Sequence, residues 1–309
     1  MTQTLRLGLV GFGKIAHDQH LPAIARTEGV ELVAVASRNA TAGGVASYGD
    51  IDAMLAAHPE LDAVVMCQPP QPRYEAARKA LAAGKHVFLE KPPAATLSQV
   101  EALIELAQAK GLTLFASWHS RCAAAVAPAR DWLQGRRLQR ATISWKEDVR
   151  HWHPGQTWIF EAGGFGVFDP GINALSILTE VVQAPIMLTS AELEIPSNLQ
   201  GPIAAQLTME TADGAPIAAV FDFRQTGVQS WDIAIEAEGG RLLLSEGADR
   251  LAIDGAPQAL PREGEYPGLY RRFVELVRTG RSDADVRPLR LVADAFLCGR
   301  HRLTEPFVP

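Results

Sequence analysis

The chain has 309 residues, of which 47% are hydrophobic and 21% charged, with a formal net charge of −6. That length predicts two domains or one large one, and the acidic balance without a basic stripe excludes a nucleic-acid partner. No apolar run reaches the length of a membrane span, no charged-then-apolar leader precedes the first strand, and the three cysteines Cys67, Cys122 and Cys298 are too scattered for a disulfide framework, which together predict a soluble cytoplasmic protein with no membrane partner.

The first predicted strand, Leu5–Val10, runs into Gly11-x-Gly13-x-x-Ala16 and a helix over Lys14–Arg26. A dinucleotide pyrophosphate needs this arrangement. Gly11 allows the tight turn, Gly13 lets backbone approach phosphate, and Ala16 lets the helix pack on the strand. The helix N-terminus, from Lys14 and Ile15, then points free N–H groups at the anion.

The second strand, Glu31–Ala36, ends in Ser37-Arg38, where an acid would bind the ribose hydroxyls of NAD. Ser37 and Arg38 offer donors to a 2′-phosphate instead, so the pattern predicts NADP as the preferred cofactor, with NAD possible. A surface arginine after a strand is the plainer alternative.

Further strands are predicted at Leu61–Cys67, His86–Glu90 and Leu112–Trp118, and helices at Ile51–Ala57, Arg73–Ala83 and Leu97–Lys110. This alternation makes residues 1–122 a doubly wound, Rossmann-type parallel sheet. Cys67 ends the first of these strands, and Pro69 and Pro70 follow it at the carboxyl end of the sheet, where a cofactor binds. Glu90-Lys91-Pro92 follows the second, at the carboxyl end of the sheet, where ligands bind. A lysine there can hold a substrate hydroxyl and stabilise negative charge; taken alone, it reads as readily as a solvated side chain.

Beyond a helix at Ala123–Leu133 the texture changes. Strands are predicted at Arg140–Asp148, Ile186–Glu194, Ala204–Glu210, Ile217–Arg224, Asp232–Ala237 and Arg241–Ser245, with turns at Asp213-Gly214 and Gly239-Gly240. A helix over Ile172–Val182 interrupts them. Helices at Tyr266–Arg278 and Pro288–Arg302 close the chain, the last expected to pack back on the first domain. Residues 123–309 therefore read as an α+β domain on a large open, mostly antiparallel sheet. Its uncovered face predicts a homo-oligomer, dimer or tetramer, through that sheet.

Asp169-Pro170 reads as an N-cap followed by a first-turn proline, with Asn173 one turn on and on the same face. Plain capping and a polar site around Lys91, Asp169 and Asn173 fit the sequence equally. Glu147, Trp152 and His153 form another cluster, with His119 after a strand end; His151 and His153 share a face if extended. His119, Cys122, Glu147, His151 and His153 are all metal-ligand types, but their spacing matches no zinc signature, so no metal is expected. Trp152 and Trp231 could stack on a sugar or pack in a core. Cys67 and Cys298 sit in apolar runs and read as buried small hydrophobes.

Gly11-x-Gly13-x-x-Ala16, Glu90-Lys91-Pro92 and Asp169-x-x-x-Asn173 together resemble the glucose–fructose oxidoreductase/inositol dehydrogenase/rhizopine catabolism family over nearly the whole chain. Longer runs, including Trp118-His119-Ser120-Arg121, Lys146-Glu147-Asp148-Val149-Arg150 and Gly166 to Ser176, resemble its bacterial aldose 1-dehydrogenase branch, acting on D-galactose and L-arabinose. The resemblance implies oxidation of an anomeric C1 hydroxyl to a lactone, with hydride passing to the nicotinamide. It implies catalytic roles for Lys91, Asp169 and Asn173, and a sugar site lined by His119, Glu147, Trp152, His153 and Trp231. The wider family carries histidine as general base where Asn173 stands, and a neutral amide cannot take a proton. Asp169 is therefore the expected base. A non-catalytic dinucleotide sensor and a metal hydrolase are the competing readings. Lys91 and Asp169 weigh against the first, and the phosphate-cradling loop against the second.

Overall fold

The computed structural model describes residues 4–261 and 264–309. In chain order the strands are β1 (Leu5–Val10), β2 (Val30–Ala36), β3 (Ala46–Tyr48), β4 (Ala63–Met66), β5 (His86–Glu90), β6 (Leu114–Ser117), β7 (Leu138–Lys146), β8 (Ile186–Pro196), β9 (Ala204–Thr211), β10 (Pro216–Asp222), β11 (Ser230–Ala237), β12 (Gly240–Ser245), β13 (Arg250–Ile253), β14 (Ala256–Pro257) and β15 (Arg300–Thr304). The α-helices are α1 (Leu21–Arg26), α2 (Ile51–Ala57), α3 (Pro70–Ala82), α4 (Leu97–Lys110), α5 (Val126–Leu133), α6 (Val149–Trp152), α7 (Phe168–Val181), α8 (Glu265–Thr279) and α9 (Arg287–Cys298).

Two compact units form. One takes the chain up to His119 and then Gly264–Val286; the other begins at Ser120 and includes Arg287–Pro309. It is therefore α8, not the last helix, that joins the first unit. Phe88 stacks on Tyr270 at 5.2 Å and meets Phe273 edge-on, and Trp118 Nε1 donates to the Asp285 carbonyl. The last helix stays in the second unit and stops at Cys298; Arg300–Thr304 is a strand beside β8, not helix.

In the first unit, six parallel strands run β3-β2-β1-β4-β5-β6. The order reverses between β1 and β4, the switch point where doubly wound sheets bind ligands. The expected α/β class holds, and β3 is an edge strand that its three residues do not announce. The helix after Gly11 forms with one wide turn: Ala16–His20 is π-helical, closed by Leu21 N–H on the Ala16 carbonyl. Such turns recur at functional sites. α3 begins at Pro70 rather than Arg73, because a proline is tolerated at a first helical position, where its missing N–H costs nothing.

The second unit's nine-stranded sheet runs β14-β13-β12-β11-β7-β10-β9-β8-β15. It is mixed: β7 pairs with β10, and β8 with β15, in parallel. One face is covered by α7, which approaches so closely that a Cβ on Gly171 would lie 2.9 Å from the Phe221 ring. Asp169 is not the N-cap of this helix. Phe168 is its first residue, and Asp169 lies inside the first turn. The early start follows from Gly166, whose φ of +53° and close approach to the Pro202 carbonyl leave no room for a side chain. Val167 N–H then binds that carbonyl at 2.7 Å. Cys298 is exposed at the end of α9, contrary to its apolar neighbourhood in sequence, while Cys67 is buried.

Candidate active site

The first unit carries a cleft of about 360 Å³ at the switch point, lined by Gly11, Phe12, Gly13, Ser37, Arg38 and Cys67 among others. Gly11 has φ +90°, and a Cβ there would lie 2.5 Å from the Gln68 backbone nitrogen. Its glycine is thus required by the turn. Gly13 differs: a Cβ would meet nothing within 4 Å. Protein packing does not demand glycine at Gly13, but a phosphate brought against the backbone would. Ala16 is fully buried, as close helix–strand packing needs. These residues fit a dinucleotide. Lys14 is salt-bridged to Asp18, and Ile15 is half-buried. Arg38 is exposed and Ser37 half-buried at the rim. Asp50 also lines the cleft but caps α2, accepting from Ala53 N–H at 2.9 Å. Pro69 lines the cleft, whereas Pro70 is buried and Pro72 faces the cleft instead.

We expect Gly11→Ala to lower stability by about 1–3 kcal/mol, the cost of a left-handed non-glycine residue, with cofactor affinity lost in parallel. Chemical denaturation and cofactor fluorescence titration measure the two.

Beneath Lys91 lies a buried network that the sequence did not reveal. His20, delivered by the wide turn, contacts Glu90 Oε1 through Nε2 at 3.0 Å and the Tyr270 hydroxyl through Nδ1 at 2.8 Å. Tyr266 donates to the same Glu90 oxygen at 2.9 Å, and Lys91 N–H donates to Oε2 at 2.9 Å. The Glu90 side chain, expected at the cofactor, is instead turned into the unit. Burial alone would raise its pKa, but the His20 hydrogen bond and charge outweigh that and bring it down to about 2. Burial likewise opposes charge on His20, yet contact with Cys67, Tyr270 and Glu90 raises it well above the ordinary histidine range. Burial and the Glu90 charge raise the Tyr266 phenol, so it stays a donor. Arg73, also buried, donates to the carbonyls of Gln68, Glu90 and Pro92 and so ties together the turns after β4 and β5. His119 binds Glu265 at 2.7 Å and stacks on Tyr266.

The second unit gathers Glu147, Trp152, His153, Asp169 and Trp231. Glu147 follows β7 and is buried; Trp231 Nε1 donates to its Oε2 at 2.9 Å. α6 makes this segment a short helix rather than extended chain, so His151 and His153 do not share a strand face. It leaves His153 Nε2 3.3 Å from Glu147 Oε1 and Nδ1 3.7 Å from Asp169 Oδ2. Trp152, 43% exposed, meets Trp231 edge-on at 5.2 Å. Phe223, not anticipated, backs the His153 ring at 5.6 Å. Asn173 stands one turn beyond Asp169, half-buried. Among the described residues no group of three or more His, Cys, Asp or Glu side chains is placed to hold a metal ion.

A six-stranded parallel sheet with a glycine turn at its switch point defines a dinucleotide-binding α/β protein. An oxidoreductase family model with an NAD-binding Rossmann fold, GFO_IDH_MocA, matches residues 5–117. A galactose 1-dehydrogenase of Pseudomonas fluorescens is 47% identical over 308 residues, 99% of each chain. The crystal structure of a D-galactose-1-dehydrogenase from Rhizobium etli superposes with a TM-score of 0.95 at 56% identity, covering 100% of this chain and 99% of that one. A 3-ketoreductase from Actinomadura kijaniata shares the fold at 20% identity, with a TM-score of 0.86 over 98% of this chain and all of the other. The chain belongs to the GFO/IDH/MocA oxidoreductase family.

Proposed function

We propose that this protein oxidises the anomeric C1 hydroxyl of an aldopyranose, D-galactose or L-arabinose, to the aldonolactone, using NADP in preference to NAD. The observation that carries this reading is the cluster of half-buried His153 between the buried acids Glu147 and Asp169, beside Trp152 and Trp231. It offers acceptors and donors for ring hydroxyls and an apolar face for a sugar ring. The names of the relatives at 47% and 56% identity support the substrate class.

Gly11, Gly13, Lys14, Ile15, Ser37, Arg38, Cys67 and Pro69 would hold the dinucleotide, whose oxidised nicotinamide supplies the hydride acceptor when bound. Lys91 holds the C1 oxygen and stabilises its developing charge. Asp169 takes the hydroxyl proton, and Asn173 orients that hydroxyl. An anomeric hydroxyl is more acidic than an ordinary alcohol, so a carboxylate suffices as base. His119, Glu147, Trp152, His153 and Trp231 bind the remaining hydroxyls and ring. The open sheet face, with Leu243 exposed on β12, pairs copies into a homo-oligomer. The free cysteines suit a reducing, cytoplasmic setting.

Steady-state rates with several aldoses and both dinucleotides test the reading. D-Galactose and L-arabinose with NADP should give the highest kcat/KM. Arg38→Ala should lower kcat/KM for NADP about 10- to 100-fold, the loss of a charge-assisted phosphate contact of roughly 1.5–3 kcal/mol, and leave NAD nearly unchanged. Equal losses with both dinucleotides would refute the role of Arg38, and no turnover of any aldose would refute the activity.

A further inference from the structure

We propose that His153 is a proton relay: it receives from Asp169 the proton taken from the substrate and passes it to solvent. This rests on the reading of Asp169 as the base.

The geometry is that of one imidazole between two buried carboxylates. His153 Nε2 lies 3.3 Å from Glu147 Oε1, and Nδ1 lies 3.7 Å from Asp169 Oδ2. A neutral imidazole has one N–H and can donate to only one of them. Glu147 is the nearer partner, and its other oxygen is already fixed by Trp231 Nε1 at 2.9 Å. The N–H therefore belongs on Nε2, facing Glu147. The Nδ1 lone pair is then aimed at Asp169. That pairing is poor while Asp169 is ionised, which agrees with the longer separation. It becomes a hydrogen bond once Asp169 carries a proton. Transfer to Nδ1 gives an imidazolium between two carboxylates, each ring nitrogen donating.

Exposure supplies the direction. The Asp169 and Glu147 side chains are 6% and 7% exposed, while that of His153 is 17% exposed. The imidazole is the most exposed of the three side chains and so gives a proton on Asp169 a way to solvent. The groups facing His153 are Glu147 after β7, Asp169 on α7 and the uncharged Phe223 ring after β10. The step balances: C1–H leaves as hydride to the nicotinamide, the C1–O bond becomes a carbonyl, and the hydroxyl proton moves to Asp169, then His153, then water.

His153→Gln tests this, because its amide can still donate to Glu147 but cannot accept and release a proton. We expect the single-turnover rate of nicotinamide reduction to fall about 10- to 100-fold, within or below the range for direct general base catalysis. Because His153 also borders the sugar, the sugar dissociation constant is measured alongside, and the rate loss should persist at saturating sugar. Added imidazole should restore part of the rate. Nitrogen-15 NMR of histidine-labelled, cofactor-free wild type should show the Nε2–H tautomer for His153, a readout independent of how well the variant folds. An Nδ1–H tautomer, or a His153→Gln protein with the wild-type single-turnover rate, overturns the relay. A loss confined to sugar affinity, without rescue by imidazole, does the same. Asp169→Asn separates the two readings: near-normal turnover there removes the base itself, whereas an inactive Asp169→Asn beside an unaffected His153→Gln removes only the relay.

Discussion

Asp169→Asn is expected to lower sugar-dependent nicotinamide reduction by about 10²–10⁴, the usual contribution of a positioned general base. The substitution keeps the shape of the side chain and removes only its ability to take a proton. It lies in the first turn of α7, where the aspartate makes no cap, so the helix should survive. Thermal unfolding within a few degrees of wild type would show that the loss is chemical rather than structural. Cofactor affinity should be unchanged, since the dinucleotide cleft is lined by other residues. Turnover within tenfold of wild type would exclude Asp169 as base.

His20→Leu should destabilise the protein by about 3–5 kcal/mol, the cost of removing one partner from a buried ion pair. Glu90 would keep Tyr266 and the Lys91 N–H but lose its cation. The sign of the pH dependence follows from both partners. The Glu90 pKa is depressed in the folded state to about 2, from 4.5. Its contribution is present above 4.5 and is lost as pH falls from there towards 2. The His20 pKa is raised, so its contribution is present below the ordinary histidine value and is lost as pH rises through the folded one. The difference between wild type and variant should therefore be widest between pH 4.5 and 6.5, shrink under acid and shrink again as pH rises through the raised His20 value. Denaturation midpoints at several pH values measure it, and a difference that grew towards acid would contradict the assignment. Because Glu90 anchors the Lys91 backbone, the variant should also lose activity at pH values where it remains folded.

Elements bounded by local cap chemistry were legible in the sequence. α2 and α4 begin and end where expected, with Asp50 accepting from Ala53 N–H, Thr96 from Gln99 N–H, and Gly111 in the left-handed conformation. Turn glycines likewise announced β12. What escaped has long-range causes. β3 and β14 are short edge strands and β13 a short strand beside the edge, held by neighbours rather than by propensity. β15 continued an apolar helical pattern and pairs with a strand more than a hundred positions earlier. The start of α7 was misread because Asp-Pro is a strong cap signal, while the fixed approach of Gly166 to Pro202 set the helix earlier. In the site, Glu147, His153, Asp169 and Trp231 were each legible as residue types suited to a sugar. Their order in space, with the imidazole between the acids, was not. His20 and Tyr266 carried no local signal, since their partners lie up to 250 positions away, and Arg73 binds backbone carbonyls, which no residue type announces.

The interrupted course of the first unit bears on how the protein is made. Chains fold as they emerge, N-terminal part first. The six strands of the parallel sheet are complete once Ser117 has left the ribosome. Yet Phe88, Phe115, His20 and Glu90 wait for Tyr266, Tyr270 and Phe273, about 150 residues later in synthesis. During that interval the nascent sheet exposes an aromatic face and a buried-type acid with no aromatic cover. A fragment cut at residue 119 would carry the same defect permanently, so the dinucleotide-binding half is best isolated with α8 joined to its C-terminal end.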